Sequence, residues 1–305
     1  MKKFFIAIAA IATAVSCSND DIISIDRQAI GFGNPFVENS VRADYSDGVQ
    51  KLTKFNVYGT VTGTAGTVNI FAGVLVTGNV GAAEWSYEEQ YAQYWIPKAD
   101  YDFAAVVDAT VGEDDVDTNG MPTKLHTIAD ATSNLEDMLY ATAHVEDAAA
   151  DQDPVNFNFS HLLSKVHFTV TSNATGGYYH TVTGIKVANF ESGTYTIADG
   201  SWAGTTDKDV VFGNIENVES TDTNGVSNAD LLLVPNAATF DVTFTVDLYK
   251  GTTKLGTEAK TIPVETDLVK GNSYNFTIAC SVGNPIKFTV TNDPAWKTTT
   301  DVTVQ

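Results

Sequence analysis

The chain has 305 residues, about two domains' worth at ~150 residues each, and its 43% apolar and 18% charged residues supply material for a packed core. Seventeen Lys plus Arg against 38 Asp plus Glu leave a net charge of -21, which disfavours nucleic acid as a partner and adsorption to an anionic membrane through charge. Two Cys and five His exclude a disulfide scaffold and a Cys-based zinc cluster, and leave little room for a His-rich metal centre.

In chain order, Lys2 and Lys3 precede an apolar run from Phe4 to Val15. That run is too short to span a bilayer, which takes ~20 residues, so 1–16 reads as a signal peptide. Ala14-Val15-Ser16-Cys17 sets a Cys directly after small residues, as in a bacterial lipobox, and predicts lipidation at Cys17. Lipid chains would hold the protein at a membrane despite its acidic surface. Ser18-Asn19-Asp20-Asp21 is similar to the surface-export signal of some Gram-negative lipoproteins. Arg27 and Arg42 follow, with the apolar residues Ile30 and Phe32 between them.

Beyond residue 50, period-two alternation dominates, the mark of strands with one face in a core and one in water. It runs through Phe55-Val57-Gly59-Val61, Val68-Ile70-Ala72-Val74-Val76, Val166-Phe168-Val170 and Phe240-Val242-Phe244-Val246-Leu248. Turn signals separate the runs at Asp47-Gly48, Asn119-Gly120, Asn224-Gly225 and Lys270-Gly271. Many short strands with regular turns predict an all-β fold of sandwich or barrel type. Short helices are expected at Ser86 to Tyr94 and at Ala131 to Leu139. A boundary is expected at Ala148 to Pro154, where acidic residues surround a small-residue run. Asp117-Thr118-Asn119-Gly120 recurs as Asp222-Thr223-Asn224-Gly225; a duplication and a chance match of turn residues both account for it. Cys280 falls on the apolar parity of Tyr274-Phe276-Ile278, as a buried inert thiol would.

Few residues point to chemistry. The chain contains no P-loop, no complete dinucleotide loop and no Gly-x-Ser-x-Gly elbow, so neither an enzyme nor a cofactor is expected. Asp115-Val116-Asp117-Thr118-Asn119-Gly120 begins like a calcium loop, but His126 stands where the bidentate Glu belongs; an acidic hairpin tip is the expectation, and no metal. His161 and His167 lie in or beside one strand and read as hydrogen-bonded structural groups. Trp85, Tyr87, Tyr91, Tyr94 and Trp95 form either a sugar-stacking surface or core packing.

The stretch from Val155 to Val170 (VNFNFSHLLSKVHFTV) resembles the strand that opens the second domain of Bacteroidota fimbrillins. Other stretches resemble the family in order: Leu52 to Gly59, Tyr94-Trp95-Ile96-Pro97, Tyr101 to Ala105, Asp137 to Ala141, Lys270 to Tyr274, and Trp296. The resemblance implies two transthyretin-like β-sandwich domains in tandem and a lipoprotein precursor, at 43–151 and 152–305 after a propeptide at 17–42. It implies a pilus subunit at the outer membrane and then in the fimbrium. Its partners would be further copies or related pilins, a lipid anchor, a surface receptor and an Arg-specific protease that removes the lipidated segment with its first strand. An anchor or tip subunit that keeps its lipid is the nearest alternative, and a surface glycan-binding lipoprotein a more distant one.

Arg27 and Arg42 are the only Arg residues, and both precede residue 43. Cleavage between Arg42 and Ala43 would release the lipid and the strand around Ile30 and Phe32 together; cleavage at Arg27 would leave that strand in place. A donor strand from a neighbour would then refill the groove by β-augmentation. The expected donor is the C-terminal segment, with Ile286, Phe288, Val290, Trp296, Val302 and Val304.

Overall fold

The computed structural model describes residues 28–37, 44–45, 50–79, 85–129 and 134–293. The signal peptide, Cys17, Arg27, Arg42, Ala43, Trp296, Val302 and Val304 lie outside them. The described residues form β-strands and their connections, with one 3-10 turn at Glu89–Tyr91. The all-β expectation is therefore met.

The first sheet has six strands in the order Phe36–Val37, Asn158–His161, Leu139–Val145, Asp100–Val107, Lys54–Gly63 and Gly66–Thr77. The period-two pattern sets its register. Phe55 pairs with Val76 and Val57 with Val74, while Val57 also faces Ala105 and Val61 faces Tyr101. These side chains enter one core with Phe71, Trp85, Trp95, Phe103, Phe157 and Phe159.

The C-terminal half is built from two facing sheets. One runs Val226–Ser227, Ser164–Ser172, Ser273–Cys280, Lys287–Asp293, with Leu231–Leu233 also on Ser164–Ser172. The other runs Thr253–Val264, Phe240–Lys250, Tyr178–Thr196, Lys124–Thr127, Ala109–Thr110. The inward parities interlock: Val166, Phe168 and Val170 stand in register with Tyr274, Phe276 and Ile278. Phe276 in turn meets Phe240 of the facing sheet, with ring centres 6.2 Å apart.

The 19-residue strand Tyr178–Thr196 ties the halves together. Its first part pairs with Phe240–Lys250, and Thr194, Tyr195 and Thr196 pair with His126, Leu125 and Lys124. A third core cluster lies along this seam and mixes Val106, Leu125 and Met138 with Leu162, Leu163 and Tyr195.

Several local expectations change. Val155, Phe157 and Phe159 belong to the first core, and Asn158–His161 pairs with Leu139–Val145. Packing partners thus switch between His161 and Ser164, later than the expected boundary. Leu162-Leu163 interrupts what reads in sequence as one alternating strand. In place of a helix at Ser86 to Tyr94 there is only the 3-10 turn, because Ser86 and Tyr94 form bridges to Thr77 and Ala29. Leu139, expected to end a second helix, opens a strand. Three of the four turn signals hold, since Gly120, Gly225 and Gly271 have positive φ, while Asp47-Gly48 lies outside the described residues. At Gly225 a Cβ would also lie 2.8 Å from the Val170 carbonyl oxygen, so φ and close approach both require glycine.

Candidate functional site

Residues 28–37 lie extended with partners on both sides. On one side Ala29 and Phe32 bridge antiparallel to Tyr94 and Trp85; on the other, Phe32 bridges parallel to Val155. Phe36 and Val37 continue the parallel pairing with Asn158 and Phe159. Toward the 85–95 side, Ile30 N–H donates to the Gln93 carbonyl (2.8 Å), and Trp85 and Trp95 N–H donate to the Phe32 and Gln28 carbonyls (3.0 and 3.2 Å). Toward the 155–159 side, Val155 N–H donates to Gly31 (2.9 Å), Gly33 N–H to Val155 (2.9 Å) and Phe36 N–H to Phe157 (2.8 Å). The Tyr87 hydroxyl adds a bond to the Ile30 carbonyl at 2.7 Å.

Ile30, Phe32 and Val37 are fully buried in the first core. Phe32 is the hub of its aromatic cluster, with ring centres 5.6–6.2 Å from Phe55, Phe71, Tyr87, Phe103 and Phe157. The inward parity changes at Gly33, from Ile30 and Phe32 to Pro35 and Val37. A Cβ on Gly33 would meet Asn156 Oδ1 at 2.1 Å, so a larger residue there would displace the exposed Asn156 side chain. Burial of three such side chains contributes about 5–9 kcal/mol gross at roughly 1.5–3 kcal/mol each. Removal of 28–37 would leave an apolar slot floored by Phe55, Phe71, Phe103 and Phe157. Its rims would carry unpaired groups at Trp85, Gln93, Trp95, Val155 and Phe157. Such a slot can accept a strand and little else.

The C-terminal strand Lys287–Asp293 pairs antiparallel with Ser273–Cys280, from Ser273 opposite Asp293 to Ala279 opposite Lys287. Ile286, Phe288 and Val290 are partly buried against the second core, with Phe288 6.1 Å from Phe244 and 5.8 Å from Phe276. The strand ends the sheet order. Three of the expected donor residues are thus engaged in their own sandwich.

The remaining sequence candidates resolve as follows. Trp85 and Trp95 are 2% and 1% exposed, and Trp95 packs edge-on to Tyr101 at 4.7 Å. The sugar-stacking surface therefore loses both indoles to the core, and only Tyr91 and Tyr94 stand out to solvent. In the calcium-like loop, Asp117 Oδ1 accepts from the Asn119 and Met121 N–H groups, and Asp115 is 2.7 Å from His126. The hydrogen bond from His126 holds the Asp115 carboxyl below its usual value. His126, at the position of the missing Glu, is a partner of the loop's first carboxylate. His161 is buried 3.0 Å from Asp137, and His167 lies 2.9 Å from Asp230. No sequence signal pairs those histidines with those carboxylates, since the register that joins them is long-range. Burial pushes the Cys280 thiol up to about 12.

Known proteins match in both sequence and fold. A family model described as fimbrillin-like matches residues 42–294. The curated proteins hold no significant match. A fimbrial protein from Bacteroides vulgatus is similar at a TM-score of 0.61 and 16% identity, over 88% of this chain and 99% of that one. A candidate cell adhesion protein from Bacteroides uniformis is similar at 0.57 and 18%, over 89% and 98%. One from Bacteroides ovatus reaches 0.53 and 14%, over 88% and 96%. At these identities the structures speak for the fold, while the sequence match covers both halves of the chain. With that family model matched over residues 42–294, the chain belongs to the fimbrillin-like family.

Proposed function

We propose that this chain is the precursor of a pilus subunit and that residues 28–37 are a removable place-holder strand. The precursor reaches the outer membrane lipidated at Cys17. An Arg-specific protease cuts between Arg42 and Ala43 and releases the lipid together with the strand. The vacated slot then takes a strand from the neighbouring subunit. The observation that carries this reading is the seat of Ile30 and Phe32: a segment with backbone partners on both sides and a ring at the centre of the aromatic core. Cleavage at Arg27 would leave that segment seated, so Arg42 is the productive site.

The donor is the tail beyond Asp293, with Trp296, Val302 and Val304 as its apolar side chains. Ile286, Phe288 and Val290 form its root, because donating them would strip Phe244 and Phe276 of Phe288. Three side chains at roughly 1.5–3 kcal/mol each do no more than match an association cost of about 4–15 kcal/mol. Durability of the fibre therefore rests on slow unfolding of the inserted strand. Arg42→Ala should leave lipidated monomers at the membrane with no fibres by electron microscopy. Fibres of normal length from that variant would refute the processing step.

A further inference from the structure

The outward face of the C-terminal sheet carries a second, unrelated feature. Ser227, Thr169, Thr277 and Thr289 stand side by side across four strands. His167, Asn275 and Thr291 form a parallel row beside them. Side chains in such rows repeat about every 4.8 Å across the strands and about every 6.7 Å along them. The turn of the repeated Asp222-Thr223-Asn224-Gly225 motif contributes Thr223 and Asn224 to the same cavity, whose volume is about 630 Å³. The size is within the range of small-ligand sites.

The lining consists of hydroxyl, amide and imidazole groups, with no carboxylate, no ammonium group and no apolar residue among those that form it. The one ionisable lining group, the His167 imidazole, is already paired with Asp230 at 2.9 Å, and a lipid finds no apolar wall. Hydroxyl groups that both donate and accept suit a ligand made of the same groups. The buried Oδ1 of Asn275 has no hydrogen-bond partner among the described residues. A buried acceptor in that state is costly, and its residue lines the cavity.

We propose that this cavity binds a neutral glycan of two or three sugar units, held by hydrogen bonds from the threonine rows. With no ring to stack on, a single site is weak. A fibre that repeats it would bind through avidity, but the inference concerns the monomer and does not require polymerisation. Thr289 and Thr291 belong to the root of the tail, so the site exists only while that root stays in its own sheet.

The test titrates the purified full chain with maltotriose, mannotriose and triacetylchitotriose, followed by saturation-transfer NMR and calorimetry. At least one should bind with a millimolar Kd. Thr277→Val with Thr289→Val keeps shape and strand propensity while removing two hydroxyls, and should weaken binding about tenfold. Thr205→Val, on an exposed strand elsewhere, should leave it unchanged. Equal melting temperatures would show that all variants are folded. Absence of binding by all three sugars, or equal binding by the double variant, would overturn the proposal without touching the place-holder reading.

Discussion

Replacing Phe32 with Ala separates the precursor from the fibre. The ring is fully buried and meets five other rings at 5.6–6.2 Å. Phe→Ala at such a site typically costs about 3–5 kcal/mol, as lost transfer energy plus the cavity left behind. The test uses the Arg42→Ala background, in which the proposed processing would not release the segment. Urea unfolding is read through the fluorescence of Trp85 and Trp95, which line the seat. At an m-value of ~2 kcal/mol/M the midpoint should fall by about 1.5–2.5 M. Phe36, 51% exposed on the same segment, supplies the control, and its change to Ala should shift the midpoint by less than about 0.5 M. In fibres assembled from a processed Phe32→Ala precursor the effect should vanish, because the segment is gone. A precursor loss below about 1 kcal/mol would mean that the segment does not hold the core. Fibres that melt earlier than wild type would mean that they keep the segment.

Other predictions follow from the same contacts. Deleting residues 294–305 should abolish fibres and leave the monomer's unfolding midpoint unchanged. Deleting 286–305 should in addition cost roughly 3 kcal/mol, since Ile286, Phe288 and Val290 lose partial burial; fibres from the shorter deletion would place the donor elsewhere. Asp115 has its carboxyl held below the ordinary value of 3.8 by the hydrogen bond from His126. Its contribution to stability is therefore complete above that value and is lost as pH falls through the depressed one. Asp115→Asn should flatten the acid limb of a stability–pH curve between pH ~2 and ~5, and an unchanged limb would argue against the pairing. Cys280, its thiol raised to about 12 by burial, should resist iodoacetamide at pH ~8 in the native chain and react fully in denaturant; native alkylation would contradict its burial.

Much of the fold is legible in the alternation of apolar residues, because a half-buried strand leaves a period-two trace. Phe240 to Leu248 and Tyr274 to Cys280 read correctly for that reason, as do the turns at Gly120, Gly225 and Gly271. Local pattern fails where long-range pairing decides. Composition leaves Trp85 and Trp95 open between a surface platform and core packing, and only their bridges and hydrogen bonds to residues 28–32, which are distant in sequence, decide for the core. The stretch from Val155 to Val170 alternates like one strand, yet it serves two sheets because Leu162-Leu163 turns the chain into the seam. The family resemblance points to a first strand around Ile30 and Phe32; their place between two partners is not legible, since neither partner is near in sequence. The threonine rows left no signal either, because Thr169, Thr277 and Thr289 come from three separate strands that align only in the folded sheet.

The central claim is tested most directly by the amino terminus of the subunit in fibres sheared from the cell surface. Intact mass and N-terminal sequencing should give a chain that begins at Ala43 and carries no lipid. A polymerised subunit that begins at acylated Cys17, or at Gln28, would retain residues 28–37 and contradict the account.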